Sequence, residues 1–220
     1  QLLRTRSELL QDVQRCRNRI KSLLYLYHIE APEGLSTRWS KAYLNWLGQV
    51  QMQYPSGQLA FQAALTELKA LVAMKVGLDK EIRLLARTER YVWDVKLLMS
   101  IPGIGWLSSM IILTEIDHID RFATLDKLCA YTGLIPDTHS SGEKENIGEL
   151  TKRGNSILKT TLIKCAWRAA SSDPALLLKF NQDCSKMPSN KAIVKTARKL
   201  LNRIRYVLKN KIAYEKGKVN

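Results

Sequence analysis

An all-α chain follows from three features of the sequence. Apolar residues recur at steps of 3 and 4 over long stretches, and no segment alternates apolar and polar residues for long enough to make a strand. The breaks between the periodic stretches fall at Pro, Gly and Ser. The first element runs from Leu2 to about His28, where Leu2, Leu9, Val13, Cys16, Ile20, Leu23 and Tyr27 make the seam of a long amphipathic helix. Arg4, Arg6, Arg15, Arg17, Arg19 and Lys21 load its other faces, and Pro32 and Gly34 end it. A short helix over Thr37 to Leu47 carries Trp39, Tyr43 and Trp46 on one side, and Tyr54 to Gly57 reads as a turn. A second long helix spans about Gln58 to Val95, marked by Phe61, Leu65, Leu68, Val72, Ile82 and Leu85. Residues 1–95 thus read as a long antiparallel, coiled-coil-like helical arm serving dimerisation.

Residues 96–220 read as a compact helical domain. Ile101-Pro-Gly-Ile-Gly105 is a tight turn between apolar stretches at Val95, Leu97, Leu98 and at Leu107, Ile111, Ile112, which has the form of a helix-hairpin-helix. Thr124 caps a short helix that Gly133 stops. Asp137 to Gly148 is polar, holds two glycines and lacks periodicity, so it reads as a loop. A helix starts near Asn155, with Leu158, Leu162, Cys165 and Ala169 on one face, and ends before Pro174. Ser189 can cap the last helix, whose buried stripe is Ile193, Ala197, Leu200, Ile204 and Val207.

Composition bounds the function. Of 220 residues, 45% are apolar and 25% charged, a balance that excludes wholesale disorder and collagen-like chains. No run of 18 apolar residues occurs, which argues against a membrane span, and the start does not resemble a signal peptide. A cytoplasmic protein is expected. The net charge of +15 points to a polyanionic partner, most often nucleic acid. That charge is uneven: from Lys186 to Asn220 there are 11 Lys and Arg and one acid, Glu215, a net of +10. Lys191, Lys195, Arg198, Lys199, Arg203, Arg205 and Lys209 cover the side of the last helix opposite its apolar stripe, as a phosphate-tracking surface would. Cys16, Cys129, Cys165 and Cys184 are scattered without ligand spacing, so they read as buried thiols rather than zinc ligands.

Three constellations could carry chemistry. In the Pro-Gly-Ile-Gly turn, Gly103 and Gly105 would let backbone N–H groups meet a phosphate with no Cβ in the way. Glu115, Asp117, Asp120 and Asp126 form the one acidic cluster near that turn, but a two-metal site needs carboxylates converging at short range. Ser140 and Ser141 sit beside Gly142, with Lys144, Lys152 and Arg153 following. A serine attacks a phosphate only where a base or a cationic surround stabilises its alkoxide. Taken alone, such a segment reads as an ordinary loop.

The motifs Leu98-x-x-Ile-Pro-Gly-Ile-Gly105, Arg121-Phe122 and Leu128-x-x-Tyr-x-Gly-Leu-Ile-Pro136 resemble the C-terminal domain of the insertion-sequence 110/116/902 transposases, a group that includes the pilin-gene inverting recombinases. Ser140-Ser-Gly142, Gly148-x-Leu-Thr-Lys-Arg-Gly-Asn155 and Ala197-Arg-Lys-Leu200 continue the likeness in register over residues 97 to 208. The arm fits the helical connector that these proteins place before that domain. The resemblance implies a DNA recombinase in which a RuvC-like domain supplies acidic residues and Mg²⁺. The C-terminal domain supplies a serine that forms a phosphoserine link, and an RNA transcribed from the element guides target choice. By motif position that serine is Ser141, with Ser140 as fallback; Lys144, Lys152, Arg153 and Asn155 become candidates for phosphate contact. Lys191, Lys195, Arg198, Lys199 and Arg205 are the candidates on the last helix. The RuvC-like domain is expected to lie upstream of Gln1, so that the chain needs no cofactor of its own and lacks complete strand-transfer chemistry. DNA, a guide RNA and a second copy of the chain are the expected partners. Two other readings stay open from the residues: a non-catalytic helix-hairpin-helix module binding DNA or RNA, and a basic RNA-packaging or ribosome-associated protein.

Overall fold

Helices account for nearly all regular structure in the computed structural model, and the chain is all-α apart from one two-stranded ribbon. The structure describes residues 1–141, 144–151 and 153–216, and of residues 137–141 and 144–149 the backbone alone. Two units divide at Ile82/Arg83, inside the third helix.

In the unit Gln1–Ile82, α1 (Leu2–Leu26) and the greater part of α3 (Pro55–Leu85) run antiparallel. Arg6 pairs with Asp79, Arg19 with Glu67, and the Cys16 thiol donates to the Ala64 carbonyl at 3.2 Å. Between the two, α2 (Lys41–Gln49) is capped by Ser40, whose hydroxyl accepts the Tyr43 N–H at 3.2 Å. Tyr43 and Leu47 complete a core with Val13, Cys16, Ile20 and Leu24 of α1 and Phe61, Leu65 and Leu68 of α3. Of the seam read from the sequence, Val13, Cys16 and Ile20 are buried, Leu24 is buried in place of Leu23, and Leu2 is exposed.

The second long helix does not continue to Val95. It stops at Leu85, and α4 (Glu89–Met99) begins after a turn at 86–88. Neither Pro nor Gly marks that break; the Thr88 hydroxyl instead donates to the Leu85 carbonyl at 2.7 Å, closing the end of α3. A short turn leads to α5 (Trp106–Ile116), then α6 (Leu125–Thr132), with the Thr124 side chain accepting the Lys127 N–H and Gly133 left-handed at φ +72°, both as read.

Residues 137–141 and 144–148, read from the sequence as loop, are not irregular. They lie in an antiparallel ribbon of β1 (Pro136–Ser141) and β2 (Lys144–Leu150). After it come α7 (Ser156–Ala170), α8 (Pro174–Cys184), which the sequence reading passed over, and α9 (Ser189–Asn210). Ser189 is the first residue of α9, and Pro188 holds the cap position with no side-chain bond.

The core of Arg83–Asn220 forms around α9, which packs on α4, α6, α7 and α8. Its stripe Ile193, Ala197, Leu200, Ile204 and Val207 is fully buried, as are Ala166 and Ala169 of α7. Small residues on both α7 and α9 let the two axes approach closely. Each fully buried leucine or isoleucine there contributes roughly 1.5–3 kcal/mol.

Candidate nucleic-acid interface

The Gly-rich turn between α4 and α5 is placed by α7. Gly103 has φ +87°, and a Cβ added to it would fall 2.6 Å from the Cys165 carbonyl oxygen and 2.6 Å from the Ala169 nitrogen. Packing on α7 therefore requires a glycine here, whatever else the turn does. Gly105 caps α5, is exposed and has open space over its Cα, so it is the glycine with room for an approaching phosphate.

The ribbon bearing the two serines is rooted in the helical core by its flanking residues. Gly133 and Gly154 (φ +103°) pack backbone to backbone: a Cβ on Gly154 would come within 2.7 Å of the Gly133 nitrogen. Asn155 then does three things. Its N–H donates to the Tyr131 carbonyl at 2.9 Å, its Oδ1 accepts the Leu158 N–H at 2.9 Å to cap α7, and its Nδ2 donates to Oε2 of Glu115 at 2.5 Å. The Tyr131 hydroxyl donates to the Glu115 carbonyl at 2.7 Å, and Lys159 Nζ donates to the Thr151 carbonyl at 2.9 Å. Asn155, a sequence candidate for phosphate contact, thus spends its polar atoms on the fold, while Arg153 stays exposed. Gly142 and Lys152 lie outside the described residues, as do the side chains of Ser140, Ser141 and Lys144. In the backbone register Ser141 faces Lys144 and Ser140 faces Glu145.

The cations of α9 sort by residue type. Arg203 reaches Asp173 at 3.1 Å and stacks on the Tyr214 ring at 4.9 Å. Arg198 pairs with Asp126 at 3.3 Å, and Arg205 donates to the Ala123 carbonyl at 3.1 Å. Asp173 is the hub of the Arg203 side: it caps α8 through the Leu176 N–H at 3.0 Å and accepts the Tyr214 hydroxyl at 2.8 Å. Burial pushes the Asp173 carboxyl up. The Tyr214 hydroxyl, the Leu176 N–H and Arg203 outweigh it and hold the group below the usual carboxylate range. After α9 the chain folds back, with Lys211 on Asp94 at 2.7 Å and the Tyr214 N–H on the Ser100 hydroxyl at 2.7 Å.

The lysines stand on the outer face. Lys191, Lys195, Lys199, Asn202, Tyr206 and Lys209 are all exposed and follow one another at steps of 4 and 3, a single stripe about 27 Å long at 1.5 Å per residue. No Asp or Glu occurs in α9. Among the described residues Lys191, Lys199 and Lys209 have no ion-pair partner, and Lys195 has only Asp183 at 3.8 Å. Such a ridge is a surface for a polyanion.

Among the described residues no three His, Cys, Asp or Glu stand close enough together to hold a metal ion. Glu115 is bound to Asn155 and Asp126 to Arg198, so the acidic residues near the turn do not fit Mg²⁺. Cys16, Cys129 and Cys165 are buried, and burial pushes their thiols up. No described helix is long and apolar enough to cross a membrane. Sequence reasoning missed the roles of Glu115, Tyr131 and Tyr214. It also missed Asp173, although Asp173-Pro174 is a cap followed by proline at the first helical position, a recognisable start signal.

Residues 95–182 match the model of the Transposase IS116/IS110/IS902 family. The transposase for insertion sequence element IS1111A of Coxiella burnetii is 28% identical over 162 residues, 74% of this chain and 44% of that protein. The transposase for insertion sequence element IS1328 of Yersinia enterocolitica is 32% identical over 69 residues, 31% of this chain and 21% of that protein. The chain spans less than half the length of these relatives. The Gly-rich turn, the ribbon and the Gly154-Asn155 root lie inside the matched region, which bears out the resemblance carried by the motifs.

Proposed function

We propose, for a chain whose residues 95–182 match the model of the Transposase IS116/IS110/IS902 family, that it is the DNA-handling, serine-bearing part of an insertion-sequence transposase. The observation that carries this reading is the rooting of the serine ribbon: glycine packing at Gly133–Gly154 and the Asn155–Glu115 bond fix the ribbon's base to α5, α6 and α7. A nucleophile must be held to within fractions of an ångström of its target, and a ribbon clamped at its base meets that need better than an untethered loop. Ser141 is preferred over Ser140 because its register partner is the cation Lys144 rather than Glu145. In the step proposed, the serine oxygen bonds to phosphorus as one P–O bond of the strand breaks. The serine proton goes to solvent and the freed strand end leaves as a hydroxyl. The α9 ridge and Gly105 hold the DNA backbone without reading bases. A RuvC-like acidic domain with Mg²⁺, a guide RNA and dimerisation through the α1–α3 arm complete the reading.

The test uses the longer transposase. Ser141→Ala should abolish the covalent protein–DNA adduct, seen as a shifted band on a denaturing gel, while DNA binding persists. An adduct that survives in Ser141→Ala and disappears in Ser140→Ala moves the role to Ser140. One that survives both leaves the non-catalytic binding module as the better reading.

A further inference from the structure

The α9 ridge ends in a cleft. Where the chain folds back after Asn210, Asn202, Arg205, Tyr206, Lys209, Ile212 and Glu215 line a hollow of about 630 Å³. Its volume is in the range of small-molecule and nucleotide sites. Tyr206 is 58% exposed and Ile212 is 56% exposed, although nearly every other large apolar side chain of α9 is buried. An exposed aromatic ring between cations offers a face on which a nucleic-acid base can stack. The ring stands on the same stripe as Lys191, Lys195 and Lys199, so a strand whose phosphates follow the lysines arrives at it.

We propose that this cleft takes an unpaired nucleotide: Tyr206 stacks its base, Lys209 meets its phosphate, and Asn202 and Glu215 face the donor and acceptor edge of the base. A base inside a duplex has no free face for Tyr206, so the proposal assigns the site to a frayed end, an overhang or a single strand, of DNA or RNA. It rests on the reading of α9 as a nucleic-acid surface and adds to it a preference that a lysine ridge alone cannot give. Phosphate tracking is indifferent to pairing, whereas stacking is not.

The experiment uses the 220-residue chain and four fluorescent probes: a blunt duplex, the same duplex with a DNA overhang, the same with an RNA overhang, and a single strand. Fluorescence anisotropy at fixed salt should show the overhang probes binding about tenfold tighter than the blunt duplex, the size expected of one aromatic–base stack. Tyr206→Ala should erase that difference, while Tyr206→Phe should retain it. The DNA and RNA arms identify which strand the site takes. Equal affinity for blunt and overhang probes, or a preference that survives Tyr206→Ala, overturns the cleft proposal and leaves the ridge standing. Failure to bind the blunt duplex at low salt instead overturns the ridge and, with it, the reading the cleft rests on.

Discussion

Along the two inner edges of α9, Arg198 and Arg205 on one and Arg203 on the other, the arginines reach Asp126, the Ala123 carbonyl and Asp173. Along its outer face Lys191, Lys195, Lys199 and Lys209 project into solvent over a stripe with no acid on it. In the sequence these seven residues make one basic helix face. The fold divides them into cations that hold the domain together and cations available to a partner. The division suits the side chains, because the planar guanidinium bonds several acceptors at once, while the ammonium is a strongly hydrated point charge on a flexible stem. Charge counted on a helix therefore overstates its binding surface by the number of cations the fold has already used.

The largest effect is expected at Asp173, the partner of Arg203. Asp173→Asn keeps a side chain able to cap α8 but removes the charge beside Arg203, and should destabilise the domain by about 3 kcal/mol, as loss of one partner of a buried pair does. Urea unfolding monitored by circular dichroism measures it. The pH dependence has a definite sign. The folded-state carboxyl lies below its unfolded value, so its stabilisation is present above the unfolded carboxylate range and is lost as pH falls through the folded value. The gap between wild type and variant should therefore close on acidification. The absence of any gap at neutral pH would mean that Asp173 acts through its cap alone, and would blur the line between the structural arginines and the free lysines.

The same division reaches Asn155, a candidate site residue that the structure commits to the fold. Asn155→Ala should cost about 1–2 kcal/mol, from loss of the α7 cap and of the donor to buried Glu115. Its effect on DNA affinity, corrected for the folded fraction, should be absent. A loss of affinity at full folding would return Asn155 to the phosphate contacts.

Which parts could be read from the sequence follows from what each residue answers to. The cap Thr124, the helix start near Asn155, the stop at Gly133 and the buried stripe of α9 are local or periodic signals, and each stands where the pattern put it. The strands Pro136–Ser141 and Lys144–Leu150 left no such trace, because a strand is read from apolar–polar alternation and these hold only Ile147 and Leu150 as large apolar residues. The break at 86–88 was hidden because helix-compatible residues continue through it. Gly103 was legible as a turn glycine, but that α7 is what demands it depends on a contact 62 residues or more along the chain. The partition of α9 was illegible for the same reason: Asp173, Asp126 and Ala123 are remote in sequence from the arginines they hold.

The outer face should show the smallest effect on stability and a clear effect on binding. Replacing Lys191, Lys195 and Lys199 together by alanine removes exposed charges, of which only Lys195 has an acid in reach, so the unfolding free energy should move by no more than about 0.5 kcal/mol. Affinity for a blunt DNA duplex should fall. The dependence of log K on log salt should flatten by about 0.9 for each lysine that neutralises a phosphate. The two readouts together separate the roles, because a structural lysine would change the first and a merely solubilising one would change neither. If the triple variant keeps the wild-type salt slope, the ridge is not where DNA binds. If it unfolds, the outer face is as structural as the inner edges, and the contrast between arginine and lysine on α9 disappears.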